Sequence, residues 1–406
     1  MDPCMPPWRR TRPRLADFVP YAGVFAHGMG QTIVMATLPS LGREIQLGEF
    51  AIGAIISASS LVFFISSRIW GRVSDRWGRK PVILVGLWGY AVGTLIFAGL
   101  FAAGMQGLLA GALLYGLIIG TRMGQSVLMS ATAPGTAALV ADTTTPVTRA
   151  AGMGRLSAAS NIGSIMGPAV AGTLAAFSLL APLIFAALAS AACAVLIHRH
   201  LEHRGPLHPH IRGESPMRLL DRRYLPYLAL GMVVFTGFSV VQQTIAFRIQ
   251  DTLLLDTRDT ARTVGFIMII SAVASLFAQT VLVQRLKIQA MVLLRAGMPL
   301  LLASFLLLIF AGSLPLFAIS MALMGLGMGL CGPGFTAAIS LAVSAREQGA
   351  AAGIATAVPA LGFILGPLAG TALYQLDPHY PYVLTVLITL PACVMAFRIR
   401  QHMHVE

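Results

Sequence analysis

Charge is scarce in this sequence, and negative charge scarcest of all. Only 11% of the 406 residues are charged, with 15 Asp and Glu against 28 Lys and Arg; a soluble globular chain carries about 25% charged residues. That shortage accompanies 56% hydrophobic residues and a mean hydropathy of +0.79. Together they exclude an ordinary cytosolic enzyme, a secreted domain and a disordered chain, and leave a polytopic membrane protein. Cysteine is rare as well: Cys4, Cys193, Cys331 and Cys393 have no metal or disulfide spacing and read as small thiols without a redox role. The chain has no nucleotide-binding loop of the G-x-x-x-x-G-K type and no cluster of His, Asp or Glu suited to interfacial catalysis. Nor has it a loop long enough for an added soluble domain. Direct ATP drive, a membrane enzyme and a non-transporting sensor are therefore all disfavoured. The N-terminus lacks the pattern of a cleaved signal peptide, and its first apolar run is long enough to be a span.

What the sequence does contain is long apolar runs. A helix crossing a bilayer needs about 20 mostly apolar residues. Twelve stretches qualify, at about 18–42, 50–70, 81–103, 107–133, 151–174, 177–198, 225–250, 263–284, 289–312, 314–340, 348–374 and 380–398. The stretches at 107–141 and 314–345 exceed one span and contain Pro134 and Pro333, so each reads as a bent helix projecting beyond the bilayer.

The cations set the topology. With both termini in the cytoplasm, inside segments hold 22 of the 28 Lys and Arg. The outside loops hold Arg43, Arg248, Arg258 and Arg262, while Arg68 and Arg122 lie within apolar runs. This positive-inside asymmetry fixes an even number of spans with both ends inside. It also removes the nucleic-acid reading of a net charge of +13, because that charge is spread over many short loops. The longest polar stretch, 199–224, parts six spans from six. Histidines 198, 200, 203, 208 and 210 in and beside it make a metal site conceivable, but a solvated cytoplasmic linker is the simpler reading, and no metal or cofactor is expected. The expected organisation is an N-terminal six-helix bundle at 1–198, the linker at 199–224 and a C-terminal six-helix bundle at 225–406.

The two halves echo each other. Gly163-x-x-x-Gly167-Pro168 recurs as Gly362-x-x-x-Gly366-Pro367, Pro134-Gly135 as Pro333-Gly334, and Gly154 as Gly353, all at an offset of 199. Gln31-Thr32-Ile33 recurs as Gln243-Thr244-Ile245, and Gly53 as Gly265, at an offset of 212. Two similar six-span halves are the layout of a rocking transporter with its substrate site between them near the midplane.

After the second span comes Gly71-Arg72-Val73-Ser74-Asp75-Arg76-Trp77-Gly78-Arg79-Lys80. Two glycines allow a tight turn, and an acid among cations makes charged hydrogen bonds that can break and re-form as two bundles slide. The segment matches the pattern G-x-x-x-D-R-x-G-R-[RK] of the major facilitator superfamily at every fixed position, and the whole chain resembles that superfamily. Ile118-x-x-x-Arg122-x-x-Gln125-Ser126 resembles its fourth-helix motif, with Ser126 where a glycine is usual. Gly163-x-x-x-Gly167-Pro168-x-x-Ala171-Gly172 is similar to the motif of the drug-and-proton antiporter branch, with Ala171 in place of one glycine. Glycine with proline lets helices pack closely and bend. The resemblance implies an all-α membrane fold of twelve transmembrane helices, alternating access, and export in exchange for protons.

It further implies that spans one, four, seven and ten line the substrate cavity. Span one offers His27 and Gln31 on one helix face, span four Tyr115, Arg122, Gln125 and Ser126, and span seven Ser239, Gln242 and Gln243. Span ten offers glycines 325, 327 and 329 with Met324 and Met328. Gln31 and Gln243 are expected to face each other across the pseudo-twofold axis. A charge at mid-membrane costs about 2.5–3.5 kcal/mol on insertion scales, so Arg122 is expected to serve substrate or proton coupling. The reference pKa of His27 suits a proton-linked step, and Arg68 is expected to snorkel to the headgroups. No Asp or Glu lies mid-span; Asp17, Asp142 and Asp251 sit at span ends. The buried formal charge is thus positive, which favours a neutral or anionic substrate presenting oxygens to Arg122.

The expectation is a non-enzymatic, proton-driven exporter of a small organic molecule in the bacterial inner membrane, acting as a monomer without nucleic acid. Its cargo is a self-made metabolite such as a siderophore, or drugs. The alternatives are a multidrug resistance pump and an importer of a nutrient or ferric chelate with protons. The chain is broadly similar to siderophore exporters of the superfamily, though it carries no motif specific to them, and any outer-membrane partner is unknown.

Overall fold

The computed structural model describes residues 19–144, 149–201, 223–284, 289–343 and 348–399. The described residues form thirteen α-helices: α1 Val19–Glu44, α2 Glu49–Trp77, α3 Arg79–Met105, α4 Gly111–Met129, α5 Thr132–Thr143, α6 Arg149–Ala175 and α7 Ala181–His200 in the first half. The second half has α8 Leu225–Leu253, α9 Thr257–Phe277, α10 Ala290–Phe310, α11 Leu314–Leu341, α12 Gln348–Leu376 and α13 Tyr380–Arg398. A π-helical turn, Ala278–Val283, prolongs α9. Most of the linker (202–222) lies outside the described residues, as does Cys4; α7 extends through Arg199 and His200.

Thirteen helices make twelve spans because the fourth is broken. α4 ends at Met129 and α5 begins at Thr132. Pro134 has no N–H to give the carbonyl of Ser130, four residues back, and its ring crowds that carbonyl. The partner proline behaves differently: α11 runs unbroken through Pro333, so the helix break is not repeated in the second half. Likewise α6 and α12 continue through Pro168 and Pro367.

Ten of the helical rods are long and apolar enough to cross a membrane. The two left out, α1 and α6, are of spanning length but richer in glycine, serine and other polar residues. α1 buries most of its residues against its neighbours, and a helix enclosed by protein has less need of an apolar surface than one facing lipid.

Small residues bring the helices together, as expected where lipid removes the hydrophobic drive for helix association. A Cβ on Gly163 would strike the Phe25 carbonyl, and one on Gly167 would stand 2.6 Å from the Met29 carbonyl, so α6 lies backbone to backbone on α1. The repeat does the same: Gly362 and Gly366 of α12 face Phe235, Thr236 and Ser239 of α8. Glycines also join the halves. Gly53 of α2 abuts Thr371 and the Pro367 carbonyl of α12, and Gly265 of α9 abuts Gly172 and the Pro168 carbonyl of α6. Gly53 and Gly265 are repeat partners, as are Pro168 and Pro367, so one contact is the pseudo-twofold image of the other.

Candidate functional site

α1, α3 and α4 build a buried polar cluster around Arg122, which is 3% exposed. Its Nη1 donates to Gln125 Oε1 at 2.6 Å and its Nη2 to Gln31 Oε1 at 2.8 Å. The Gln125 amide donates in turn to Thr94 Oγ1 at 2.6 Å and to the Tyr90 carbonyl at 3.1 Å. The guanidinium also stands 5.9 Å from the centroid of the Phe97 ring. Its Nε has no hydrogen-bond partner among the described residues. The cation is therefore held by neutral amide oxygens, with no carboxylate bonded to it among those residues.

His27 lies beside this cluster, stacked on Phe63 at 5.9 Å and edge-on to Tyr90 at 6.5 Å. His27 Nδ1 and the Tyr90 hydroxyl are buried without partners among the described residues. Across in the second half, Gln242 Oε1, Gln243 Nε2, Ser239 Oγ and Thr236 Oγ1 of α8 are in the same position. Buried polar atoms left unpaired cost free energy, and a site that awaits a polar ligand is where they accumulate.

The sequence reading is corrected in several places. Tyr115 does not join the Arg122 cluster; its hydroxyl reaches the Ala51 carbonyl of α2 at 3.5 Å. Gln31 accepts a hydrogen bond from Arg122, and among the described residues no hydrogen bond joins it to Gln243. The span-ten glycines pack helices: Gly325 and Gly329 on α9, Gly327 on α10. Arg248 is not in a loop but inside α8 and 8% exposed, a second buried cation, 2.9 Å from His379 Nε2. Arg68 is exposed and lies over Phe64.

In the motif after α2, one glycine makes the turn. Gly78 has φ 90° and ψ 164°, a region that glycine alone adopts readily. Gly71 is inside α2 with open space where a Cβ would point. Arg79 ties the helix ends together, bonding Asp75 at 2.6 Å, Ser74 at 3.1 Å and Asp142 of α5 at 2.7 Å. Lys80 donates to the His198 carbonyl of α7, while Arg76 is exposed.

Sequence reasoning missed α3, whose Tyr90 and Thr94 support the cluster, and a polar latch at the opposite end of the molecule from this motif. Arg43 of α1 grips both oxygens of Asp251 of α8, at 2.6 and 2.9 Å, and bonds Gln250 and Glu49. It also lies over the Phe247 ring, and Tyr374 of α12 donates to Asp251 at 2.7 Å. Arg262 of α9 reaches the Ala176 carbonyl after α6 at this end too. Nearby, Asp377 accepts from the backbone N–H of His379 and sits 2.8 Å from its ring; these contacts hold its carboxyl below the usual carboxylate range. A signal for the latch was present: opposite charges at the matched ends of spans one and seven.

The family model of the Major Facilitator Superfamily matches residues 21–304 and 252–405. The chain belongs to that superfamily. Over 391 residues it is 27% identical to multidrug resistance protein 1 of Bacillus subtilis (strain 168), covering 94% of this chain and 95% of that one. It is 34% identical over 191 residues, 45% of each protein, to the class G tetracycline resistance protein of Vibrio anguillarum. A bacterial homologue of the iron transporter ferroportin in its inward-facing state superposes with a TM-score of 0.72 at 15% identity. The match covers 95% of this chain and 99% of that one. The chain is a multi-pass membrane transporter and not an enzyme.

Proposed function

We propose that this transporter expels small organic molecules bearing acidic oxygen atoms, drugs among them, in exchange for protons. The observation that carries the substrate class is Arg122: a buried cation bonded to amide oxygens, with an unpartnered Nε. An anionic oxygen would supply the missing counter-charge with charge-assisted hydrogen bonds. His27, Gln125 and Tyr90 on one side and Gln242, Gln243 and Ser239 on the other would complete the site between the halves. The drug branch of the reading is supported by relatives named for resistance to multiple drugs, tetracycline and quinolones. Tetracyclines and quinolones both carry acidic oxygens. A siderophore cargo has no comparable support.

With both termini cytoplasmic, as the cation asymmetry favours, the latch faces outside and the Gly78 turn faces the cytoplasm. This conformation then has its outer end shut, in keeping with the inward-facing state of the ferroportin homologue. Release of cargo would require the latch and the two glycine contacts to part.

Everted membrane vesicles test this. Energised vesicles are expected to accumulate tetracycline or norfloxacin, to lose that accumulation when the proton gradient is collapsed, and to show a KM raised about tenfold or more by Arg122→Ala. Uptake by right-side-out vesicles only would establish an importer, and an unchanged KM in Arg122→Ala would refute the anion-binding role.

A further inference from the structure

Thr94 belongs to α3, outside the four helices that line the cavity by resemblance. We propose that Thr94 is a positioning residue for Arg122: its hydroxyl holds the Gln125 carboxamide in the place from which its oxygen meets the guanidinium. The proposal rests on the reading of Arg122 as the anion-binding group, but its geometry stands apart from that reading.

A carboxamide has two ends of nearly equal shape and opposite hydrogen-bonding sense. Arg122 donates only, so it needs the oxygen end, and it has it at 2.6 Å. The nitrogen end has two hydrogens and finds two acceptors on α3. One is the Tyr90 carbonyl at 3.1 Å, and the shorter contact, 2.6 Å, is to Thr94 Oγ1. The Tyr90 carbonyl and the guanidinium choose the end, since a flip would set oxygen against carbonyl and NH2 against the cation; the Thr94 hydroxyl, able to donate or accept, holds the amide in position with the shorter bond. Thr94 is 0% and Gln125 3% exposed, so water cannot substitute easily. The approach of the two helices is built for this bond: a Cβ on Gly93 would stand 2.6 Å from Gln125 Cγ. The chain of contacts thus runs from Thr94 through Gln125 and Arg122 to Gln31, carrying the rigidity of α3 to the cation and to α1.

Thr94→Val keeps the volume and removes the hydroxyl, and Thr94→Ser keeps the hydroxyl. The first readout needs no substrate: hydrogen exchange of the Gln125 side-chain amide in protein labelled with 15N-glutamine, its signal identified by its loss in Gln125→Leu. Thr94→Val is expected to speed that exchange about tenfold, and Thr94→Ser to leave it slow. The second readout is norfloxacin transport in everted vesicles. The loss of one buried hydrogen bond predicts a KM raised about two- to tenfold in Thr94→Val, with kcat and membrane abundance unchanged and recovery in Thr94→Ser. Thr94→Val is expected to add nothing in a Gln125→Leu background. Unchanged amide exchange, or effects of Thr94→Val and Gln125→Leu that simply add, would overturn the proposal. If the parent protein moves no norfloxacin, the exporter reading fails on that probe, and the amide exchange alone decides the role of Thr94.

Discussion

Arg43 and Asp251 join the two halves of the molecule through a two-pronged contact, Nη1 donating to Oδ1 at 2.6 Å and Nη2 to Oδ2 at 2.9 Å. Each partner is anchored in its own half: Arg43 by Glu49 of α2, Asp251 by Tyr374 of α12. The pair is thus part of a network that ties four helices. Two-pronged arginine–carboxylate contacts are among the stronger polar interactions, and partial exposure weakens this one, since the Asp251 side chain is 41% exposed.

The latch predicts a specific coupling. Arg43→Ala and Asp251→Ala are each expected to shift the molecule toward an open outer end, and the double variant to shift it little further than either single one. The expected coupling lies toward the lower part of about 0.5–3 kcal/mol. Spin labels at Phe177 and Leu254, 77% and 88% exposed at this end in opposite halves, in a cysteine-free background, read the opening as a longer distance. Additive effects of the two single variants would show that the contact does not hold the halves together.

The two glycines of the motif after α2 are expected to part company. Gly78 occupies a backbone region where another residue costs about 1–3 kcal/mol, so Gly78→Ala is expected to lower the melting temperature of the purified protein. Gly71 is inside a helix with nothing near its Cβ position, and Gly71→Ala is expected to leave that temperature unchanged or raise it, by about 0.5–1 kcal/mol of stability at most. If Gly71→Ala nevertheless slows transport, Gly71 is needed in the conformation opposite to this one. Equal melting temperatures for the two variants would contradict the assignment of the turn to Gly78.

Asp377 gives a pH dependence whose sign is fixed. Its carboxyl is held below the usual range, first by the backbone N–H of His379 and then by the ring. The stabilisation is therefore fully present above the ordinary carboxylate range and is lost as pH falls through the lowered value. Asp377→Asn is expected to flatten that acid limb of the melting curve, lowering the melting temperature slightly near neutral pH and leaving it unchanged at the acid end. An acid limb identical to that of the parent would exclude Asp377 as its source.

Much of this architecture was written in the apolar runs and the repeats, and the reasons differ by feature. Span lengths follow from the thickness of a bilayer, so the rods were legible, most to within a few residues, while α2, the fourth rod and α9 run six to ten residues past the expected ends. Arg122 was legible because a lone cation in an apolar run is costly enough to need a purpose. Thr94 was not, since threonine in a membrane helix commonly satisfies itself on its own backbone, as Thr37 and Thr244 do. Arg43 and Arg248 were read as loop charges, and Asp251 as a charge just beyond a span, because sequence alone does not tell where a helix continues past its apolar stretch. Tyr115 was misplaced because helical periodicity gives a face, not the neighbour that the face meets. The repeat of Gly53 as Gly265 was visible, but only the fold shows that each glycine is used against the other half.

That repeat supplies the last prediction. Gly172 and Gly265 meet backbone to backbone: a Cβ on Gly172 would lie 2.6 Å from the Gly265 Cα, and one on Gly265 would strike Gly172. A side-chain rotation cannot relieve such an overlap, so the helices must separate. Overpacking of this kind costs about 1–3 kcal/mol, enough to change a conformational ratio roughly thirtyfold near the middle of that range. Gly265→Ala and Gly172→Ala are each expected to lengthen the Phe177–Leu254 spin-label distance. Gly99→Ala, which meets open space, is the control and is expected to leave the distance unchanged. The pseudo-twofold image makes the same demand at Gly53, where an alanine would strike Thr371. If Gly53→Ala opens the outer end and Gly265→Ala does not, the two contacts are not equivalent in function, and the symmetry of the fold does not extend to its gate.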